Sequence, residues 1–205
     1  MNMNEKVLEL FDFAQSRRNF VKGSVAIAGG LGIVGSTGLS KAFAQGLTDL
    51  DILNFALTLE HLESRMYADM LAKNILTGKE LTYFTNFGAA EAAHVQAIAG
   101  TITKLGGTPV AAKASYNFPA FTNRGDILNF AKIAEDIGVG AYQGAAAAIK
   151  NKDVLAAAGS IVQLEARHAA IMNLLIGLDA PVPDAFTKSQ TVAEVLAKVT
   201  PILGA

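Results

Sequence analysis

Two short motifs of the chain combine a carboxylate and an imidazole at the same spacing, Glu91-Ala-Ala-His94 and Glu165-Ala-Arg-His168. Residues three positions apart lie on one face of a helix, so each motif can direct both side chains toward one point. The chain contains no Cys, which excludes thiolate metal sites, disulfides and cysteine nucleophiles. One such motif is weak evidence for a site, but two of them, 74 residues apart, indicate a repeat.

The repeat is clearest where Asp51-Ile-Leu-Asn-Phe-Ala56 recurs, residue for residue, as Asp126-Ile-Leu-Asn-Phe-Ala131. At this offset of 75 residues, Glu60 aligns with Glu135. The first and third segments are therefore related, as are the second and fourth, which predicts a pseudo-twofold arrangement. What the two halves share is mainly a set of carboxylates with two histidines.

Helical phase places the aligned glutamates on apolar stripes. The two stripes are Leu53, Leu57, Glu60 and Tyr67, and Leu128, Glu135, Val139 and Tyr142. Several ionised carboxylates buried together need a compensating positive charge. Two divalent ions would balance four glutamates, and two neutral imidazoles would complete the ligand set. The sequence therefore predicts a two-metal site formed by Glu60, Glu91, His94, Glu135, Glu165 and His168.

Apolar residues recur at helical spacing in four long segments, and none shows sustained strand alternation. The predicted helices are 49 to 73, 79 to 105, 125 to 150 and 152 to 177, followed by a short fifth near 190 to 203. The connection between the second and third is long enough to run back along a bundle. This predicts an all-α, antiparallel four-helix bundle with one long crossover and a short C-terminal helix.

The segment Leu53-Asn-Phe-Ala-Leu-Thr-Leu-Glu-His-Leu-Glu-Ser-Arg-Met-Tyr67 resembles the ferritin-like proteins, most closely an exported branch related to desiccation-related proteins. The resemblance covers about residues 48 to 178 and implies a bacterioferritin-type dinuclear centre. By that pattern Glu91 and Glu165 bridge the metals, while Glu60 and Glu135 are terminal ligands. Tyr67 and Tyr142 then resemble tyrosines that hydrogen-bond ligands or carry oxidising equivalents, although both can also be ordinary core aromatics.

The first 44 residues are predicted to be an export signal. The run Ser16-Arg17-Arg18-Asn19-Phe20-Val21-Lys22 precedes a Gly- and Ala-rich apolar stretch, and Ala42-Phe43-Ala44 offers small residues for cleavage before Gln45. The segment closely resembles a twin-arginine signal, which implies the twin-arginine machinery as a partner and a periplasmic or extracellular location. An uncleaved membrane anchor is the alternative. Residues 45 to 205 are then one domain, the bundle.

The expected function is redox chemistry with O2 or peroxide at two iron ions, with manganese as the other metal. Ferroxidase, peroxidase and catalase chemistry all fit six such ligands. Two alternatives remain: a stress- or desiccation-protective protein in which metal stabilises the bundle, and iron storage in a homo-oligomeric shell. Residues 45 to 205 carry 12 basic and 15 acidic side chains, so nothing favours a nucleic-acid partner.

For other residues near these apolar stripes, structural roles are alternatives to functional ones. Glu63 falls near the inward face but aligns with Gly138, so it is either an extra ligand or unnecessary to a symmetric site. His61 lies about 100° around the helix from Glu60 and is expected at a surface or interface. The glycines that follow Glu135 favour close helix packing over phosphate binding. The aromatic-bearing crossover is expected to cover the bundle or to act as a lid.

Overall fold

The computed structural model describes residues 47–204, which form five α-helices and contain no strand. The helices are α1 (Asp49–Leu71), α2 (Gly78–Lys104), α3 (Arg124–Ala146), α4 (Lys152–Leu175) and α5 (Val192–Leu203). The all-α prediction is confirmed. The predicted signal, residues 1 to 44 with cleavage before Gln45, lies outside the described residues. None of the described helices is long and apolar enough to cross a membrane.

The repeated hexapeptide marks the same place in two helices, because its first residue closes an N-terminal capping box. In α1 the Thr48 hydroxyl accepts from the Asp51 N–H at 3.2 Å, and the Asp51 carboxylate accepts from the Thr48 N–H at 2.9 Å. Asn123 and Asp126 make the equivalent exchange at the start of α3. Such a box satisfies donors that a helix start leaves unpaired.

The third helix ends four residues earlier than the sequence predicts, at Ala146 rather than 150. The Ala-rich run favours continued helix, but tertiary contacts override this preference. The N–H groups of Lys150 and Asn151 donate to the Asp49 carboxylate at 2.8 and 2.7 Å. These bonds require a turn there, and Asn151 then caps α4. The start of α1 is thereby fastened to the connection between α3 and α4.

The bundle consists of two helical hairpins, α1 with α2 and α3 with α4, which pack on each other chiefly through α1 and α3. Residues 105–123 form the long crossover between the hairpins. Its Val110 N–H donates to Asn54 Oδ1 of α1 at 2.8 Å, and its Asn117 N–H donates to the Ile202 carbonyl of α5 at 2.7 Å. The crossover therefore covers the bundle and is held between its first and last helices.

The two ends of the bundle interior are filled differently. At one, which we call the aromatic end, the buried side chains are large: Met66, Tyr67, Met70, Phe84, Phe87, Ile127, Leu128 and Met172. At the other, the alanine end, small residues leave an apolar cavity of about 50 Å³. Its lining includes Ala141, Tyr142, Ala145, Ala158 and Ile161. The candidate site lies between these two ends.

Two glycines of α3, Gly140 and Gly144, do permit a close approach, but their neighbour is the segment before α5 and not another helix. A Cβ on Gly144 would lie 2.0 Å from the backbone oxygen of Gln190, in the segment before α5. The Gln190 N–H donates to the Gly140 carbonyl at 2.9 Å. The glycines thus let an extended segment lie directly on the helix backbone.

Candidate metal centre

All six residues of the predicted site converge in the middle of the bundle, one from each of α1 and α3 and two from each of α2 and α4. The four glutamates are fully buried, and His168 is almost so. The His94 side chain keeps 12% of its surface exposed. Fully buried glutamates are rare without a partner, so the cluster requires an explanation beyond packing.

The six residues form two overlapping groups of four, and in each group one ligand atom per residue lies within 4.8 Å of the others. The first group is Glu60, Glu91, His94 and Glu165, and the second is Glu91, Glu135, Glu165 and His168. Glu91 and Glu165 belong to both. The shared carboxylates therefore lie between two positions, each completed by one further glutamate and one histidine.

Both histidines turn the same nitrogen toward the carboxylates. His94 Nδ1 lies 2.9 Å from Glu91 Oε2 and 3.2 Å from Glu60 Oε2. His168 Nδ1 lies 3.1 Å from Glu91 Oε1 and 3.3 Å from Glu135 Oε2. In each E-x-x-H motif, carboxylate and imidazole thus face one point, as the helical spacing predicts.

The two tyrosines cross between the halves of the repeat. Tyr67 of α1 donates its hydroxyl to Glu135 of α3, and Tyr142 of α3 donates to Glu60 of α1. Both bonds are buried. The family resemblance implies hydrogen bonding to ligands as one of the roles open to these tyrosines, but it does not predict that each bonds a glutamate of the helix opposite its own. That crossing follows from the pseudo-twofold packing of α1 against α3.

A family model described as the ferritin-like domain matches residues 48–178. The chain belongs to this family. All six site residues lie within the matched segment, and so do both tyrosines. None of the proteins with curated descriptions matches the chain.

One solved structure similar to this ferritin-like chain is that of a conserved hypothetical protein, rv2844, from Mycobacterium tuberculosis. The two are 19% identical, with a TM-score of 0.58. The alignment covers 67% of this chain and 96% of that one. At this identity the likeness shows the fold alone, and it agrees with the helical bundle described above.

Burial raises the pKa of three of the four glutamates in the cluster. It raises the pKa of Glu60 to about 7, with a further contribution from the Glu91 carboxylate. Burial likewise raises the pKa of Glu165 to about 7 and that of Glu135 to about 8. An ionised carboxylate is poorly solvated there, so the protonated form gains. The cluster therefore resists carrying all its negative charges unless positive charge is present.

The imidazoles are affected in the opposite direction. Burial lowers the pKa of His94, but its pairing with Glu165, Glu60 and Glu91 outweighs burial and raises that pKa to about 12. The same balance raises the pKa of His168 to about 10. Protons on the imidazoles thus supply part of the positive charge that the buried carboxylates require. A metal ion at the same point would displace these protons.

The unpaired atoms of the site match what a metal would need. Five buried ligand atoms have no hydrogen-bond partner among the described residues: Glu91 Oε1, Glu135 Oε2, Glu165 Oε1 and Oε2, and His168 Nδ1. Buried polar atoms are normally paired, and leaving one unpaired costs about 1–3 kcal/mol. Carboxylate oxygen with imidazole nitrogen suits iron and manganese. The donor set therefore fits two such ions.

The two other candidate residues of α1, His61 and Glu63, lie in different surroundings. His61 points away from the cluster, and its Nε2 lies 3.2 Å from the Val110 carbonyl oxygen of the crossover. Glu63, in contrast, is buried beside the cluster with only 3% of its surface exposed. The repeat could not decide Glu63, because the aligned residue is Gly138.

Proposed function

We propose that this ferritin-like protein binds two iron or manganese ions and uses them for redox chemistry with O2 or peroxide. The observation that supports this most directly is the pair of overlapping four-residue groups that share Glu91 and Glu165. A single structural ion would need only one group. Two adjacent positions linked by common carboxylates allow two ions to act on one substrate molecule.

In this proposal Glu91 and Glu165 would contribute to both metal positions, Glu60 and Glu135 would each complete one of them, and His94 and His168 would supply the nitrogen ligands. When bound, two ions that pass from divalent to trivalent supply two electrons, which with two protons reduce one hydrogen peroxide to two waters. Tyr67 and Tyr142 orient the terminal carboxylates through their hydroxyl bonds. Such bonds fix the carboxylate geometry from outside the ligand set.

The cavity of the alanine end favours a small apolar oxidant, molecular oxygen, as the substrate. It is almost entirely apolar, it has a volume of about 50 Å³, and the ring of Tyr142 forms part of its wall. The hydroxyl of the same tyrosine contacts Glu60. Molecular oxygen in this cavity would therefore lie next to a residue that touches the centre, without displacing any charged side chain.

The decisive experiment measures iron and manganese by mass spectrometry in protein purified from cells supplied with both metals. We expect about two ions per chain, and their loss in the double variant His94→Ala, His168→Ala. His61→Ala is the matched control, since the third histidine of the chain lies outside the cluster. Equal metal content in the double variant and the wild type would refute the site.

Redox function is tested separately from binding. The protein loaded with ferrous iron is mixed with O2 or hydrogen peroxide, and oxidation is followed by absorbance against the same protein loaded with zinc. Oxidation faster than that of free ferrous iron supports the redox proposal. Bound metal that raises thermal stability without any such turnover would instead support the stress-protective alternative.

We also propose that the protein works outside the cytoplasm after twin-arginine export. The support is the motif at Ser16 to Lys22, followed by the apolar stretch and Ala42-Phe43-Ala44. Replacing Arg17 and Arg18 together by Lys should retain the protein in the cytoplasm, as measured by cell fractionation. Unchanged secretion of this variant would contradict the proposal.

A further inference from the structure

Glu63 is a buried carboxylate that the six-residue site does not use. It lies one helical turn after Glu60, and 97% of its surface is covered, since only 3% is exposed. Among the described residues, none makes a hydrogen bond or ion pair with it. An ionised carboxylate in this position is costly unless a positive charge lies near.

The space for Glu63 comes from Gly138, its aligned residue in the repeat. A Cβ on Gly138 would lie 3.1 Å from Glu63 Oε1 and 3.2 Å from Glu165 Oε2. The carboxylates of Glu63 and Glu165 therefore lie against the same point of α3, where a side chain would crowd both. A turn does not explain the glycine at position 138, because Gly138 lies inside α3. The room it leaves is occupied by the extra carboxylate.

We propose that Glu63 is a seventh protein ligand of the two-metal centre and serves the position formed by Glu135, Glu165 and His168. This inference rests on the proposed function. Glu63 belongs to neither compact four-residue group. The proposal therefore requires its side chain to turn toward the ion when metal binds. Carboxylates suit this, because they can bind metal through one oxygen or two.

The neighbours of Glu63 identify the position it serves. Burial raises the pKa of Glu63 well above its ordinary value, and the like charges that raise it further are, in decreasing order, those of Glu165, Glu135, Glu91 and Glu60. Gly138, against which the Glu63 carboxylate lies, follows Glu135 by three residues and so shares its face of α3. The Glu63 carboxylate therefore lies on the side of the cluster from which Glu135 projects.

A seventh ligand makes the two positions chemically different. One would have three carboxylates and an imidazole, and the other four carboxylates and an imidazole. Five glutamates carry one more negative charge than two divalent ions balance, so the richer position favours the trivalent state. The repeat therefore encodes two similar ligand sets, and one substitution between its halves distinguishes them.

The test is a titration of metal-free protein with Co²⁺, followed by visible absorbance, which reports coordination without turnover. We compare the wild type with Glu63→Gln and use Asp69→Asn, an exposed carboxylate of the same helix, as the control. We expect two Co²⁺ per chain in each protein, with one of the two affinities about tenfold or more weaker in Glu63→Gln. Two unchanged affinities, or an equal loss at both positions, would overturn the inference.

Gly138→Ala is the second variant, because its methyl group enters the space that Glu63 uses while favouring helix. It should weaken Co²⁺ binding, at both positions where it also crowds Glu165, and if Glu63→Gln does not fold, unchanged Co²⁺ binding by Gly138→Ala overturns the inference. Thermal unfolding of the metal-free proteins tests for a purely structural role, since Glu63→Gln keeps the side-chain volume, removes a carboxylate without a hydrogen-bond partner and should not lower stability. A wild type that binds no Co²⁺ would refute the proposed function as well.

Discussion

The two ends of the bundle interior occupy equivalent places in the repeat, yet one is filled and the other is open. Three large residues of the aromatic end align with alanines of the alanine end, Met66 with Ala141, Met70 with Ala145 and Phe84 with Ala158, and Phe87 aligns with the smaller Ile161. The six predicted ligands between the ends follow the repeat. The two halves therefore share the same types of candidate ligand but differ in the size of the residues packed around them.

The difference places the two histidines in unlike settings. The Phe87 ring stacks on the His168 imidazole, with centroids 4.0 Å apart, whereas His94 remains partly exposed. Tyr67 packs edge-on against Phe84 and Phe87, at 5.3 and 6.1 Å. Its counterpart Tyr142 borders the cavity instead. One side of the cluster is thus closely packed by aromatic rings, and the other is partly open.

The largest effect on metal content is expected for the two glutamates that belong to both metal positions. Glu91→Ala or Glu165→Ala alone should remove both ions, because each carboxylate belongs to both positions. Glu60→Ala and Glu135→Ala should each weaken one position and leave an ion at the other. Metal content per chain distinguishes these outcomes. Equal loss from all four variants would show that the two positions are not separable.

Phe84→Ala should destabilise the metal-free protein by about 3–5 kcal/mol, because it opens a cavity in a filled, buried cluster. The matched variant Ala158→Leu adds volume where the cavity already exists, and should change the unfolding free energy by less than about 1.5 kcal/mol. Chemical denaturation measures both. Similar costs at both ends would mean that the alanine end is as closely packed as the aromatic end.

Tyr67→Phe and Tyr142→Phe each remove the donor to one buried glutamate, which should cost about 1–3 kcal/mol of unfolding free energy. The loss should be larger for Tyr67, which is sealed between Phe84 and Phe87, than for Tyr142, which has free space beside it. Denaturant titration of the two variants provides the comparison. A larger loss at Tyr142 would contradict the difference between the ends.

The smallest effect concerns pH. Glu60, Glu135 and both histidines have raised pKa values, so between pH 4.5 and about 12 the folded chain binds protons that the unfolded chain releases. The stability of metal-free protein should therefore fall as pH rises through this window. The melting temperature should drop by about 2–4 °C per kcal/mol lost. Bound metal should suppress this dependence, and an unchanged slope would contradict it.

Below pH 4.5 the sign reverses. Burial would raise the pKa of Glu91, but the imidazoles of His168 and His94, 3.1 and 2.9 Å from its oxygens, outweigh burial and lower that pKa to about 2. The stability that this depressed pKa contributes is present above 4.5 and disappears as pH falls toward 2. Melting temperatures measured from pH 3 to 9 should therefore pass through a maximum.

Much of the fold was predictable because helical period, caps and the repeat agree with one another. The hexapeptide at Asp51 and Asp126 marks two capped helix starts, and the E-x-x-H spacing places carboxylate and imidazole together. The convergence of the six predicted residues follows from those local rules.

Other features depend on contacts distant in sequence. The early end of α3 depends on Asp49, which lies about 100 residues away. The crossed tyrosines require knowing how α1 faces α3. The burial of Glu63 requires knowing that Gly138 lies opposite, which a repeat alignment alone cannot translate into a contact.

The shared carboxylates also connect two units of folding. Glu91 belongs to the hairpin of α1 and α2, and Glu165 to the hairpin of α3 and α4. Each hairpin forms through contacts near in sequence, but the centre is complete only after the hairpins dock. In the proposed centre, an ion held by both carboxylates would therefore oppose the separation of the two hairpins, so that metal binding would also hold the two folding units together.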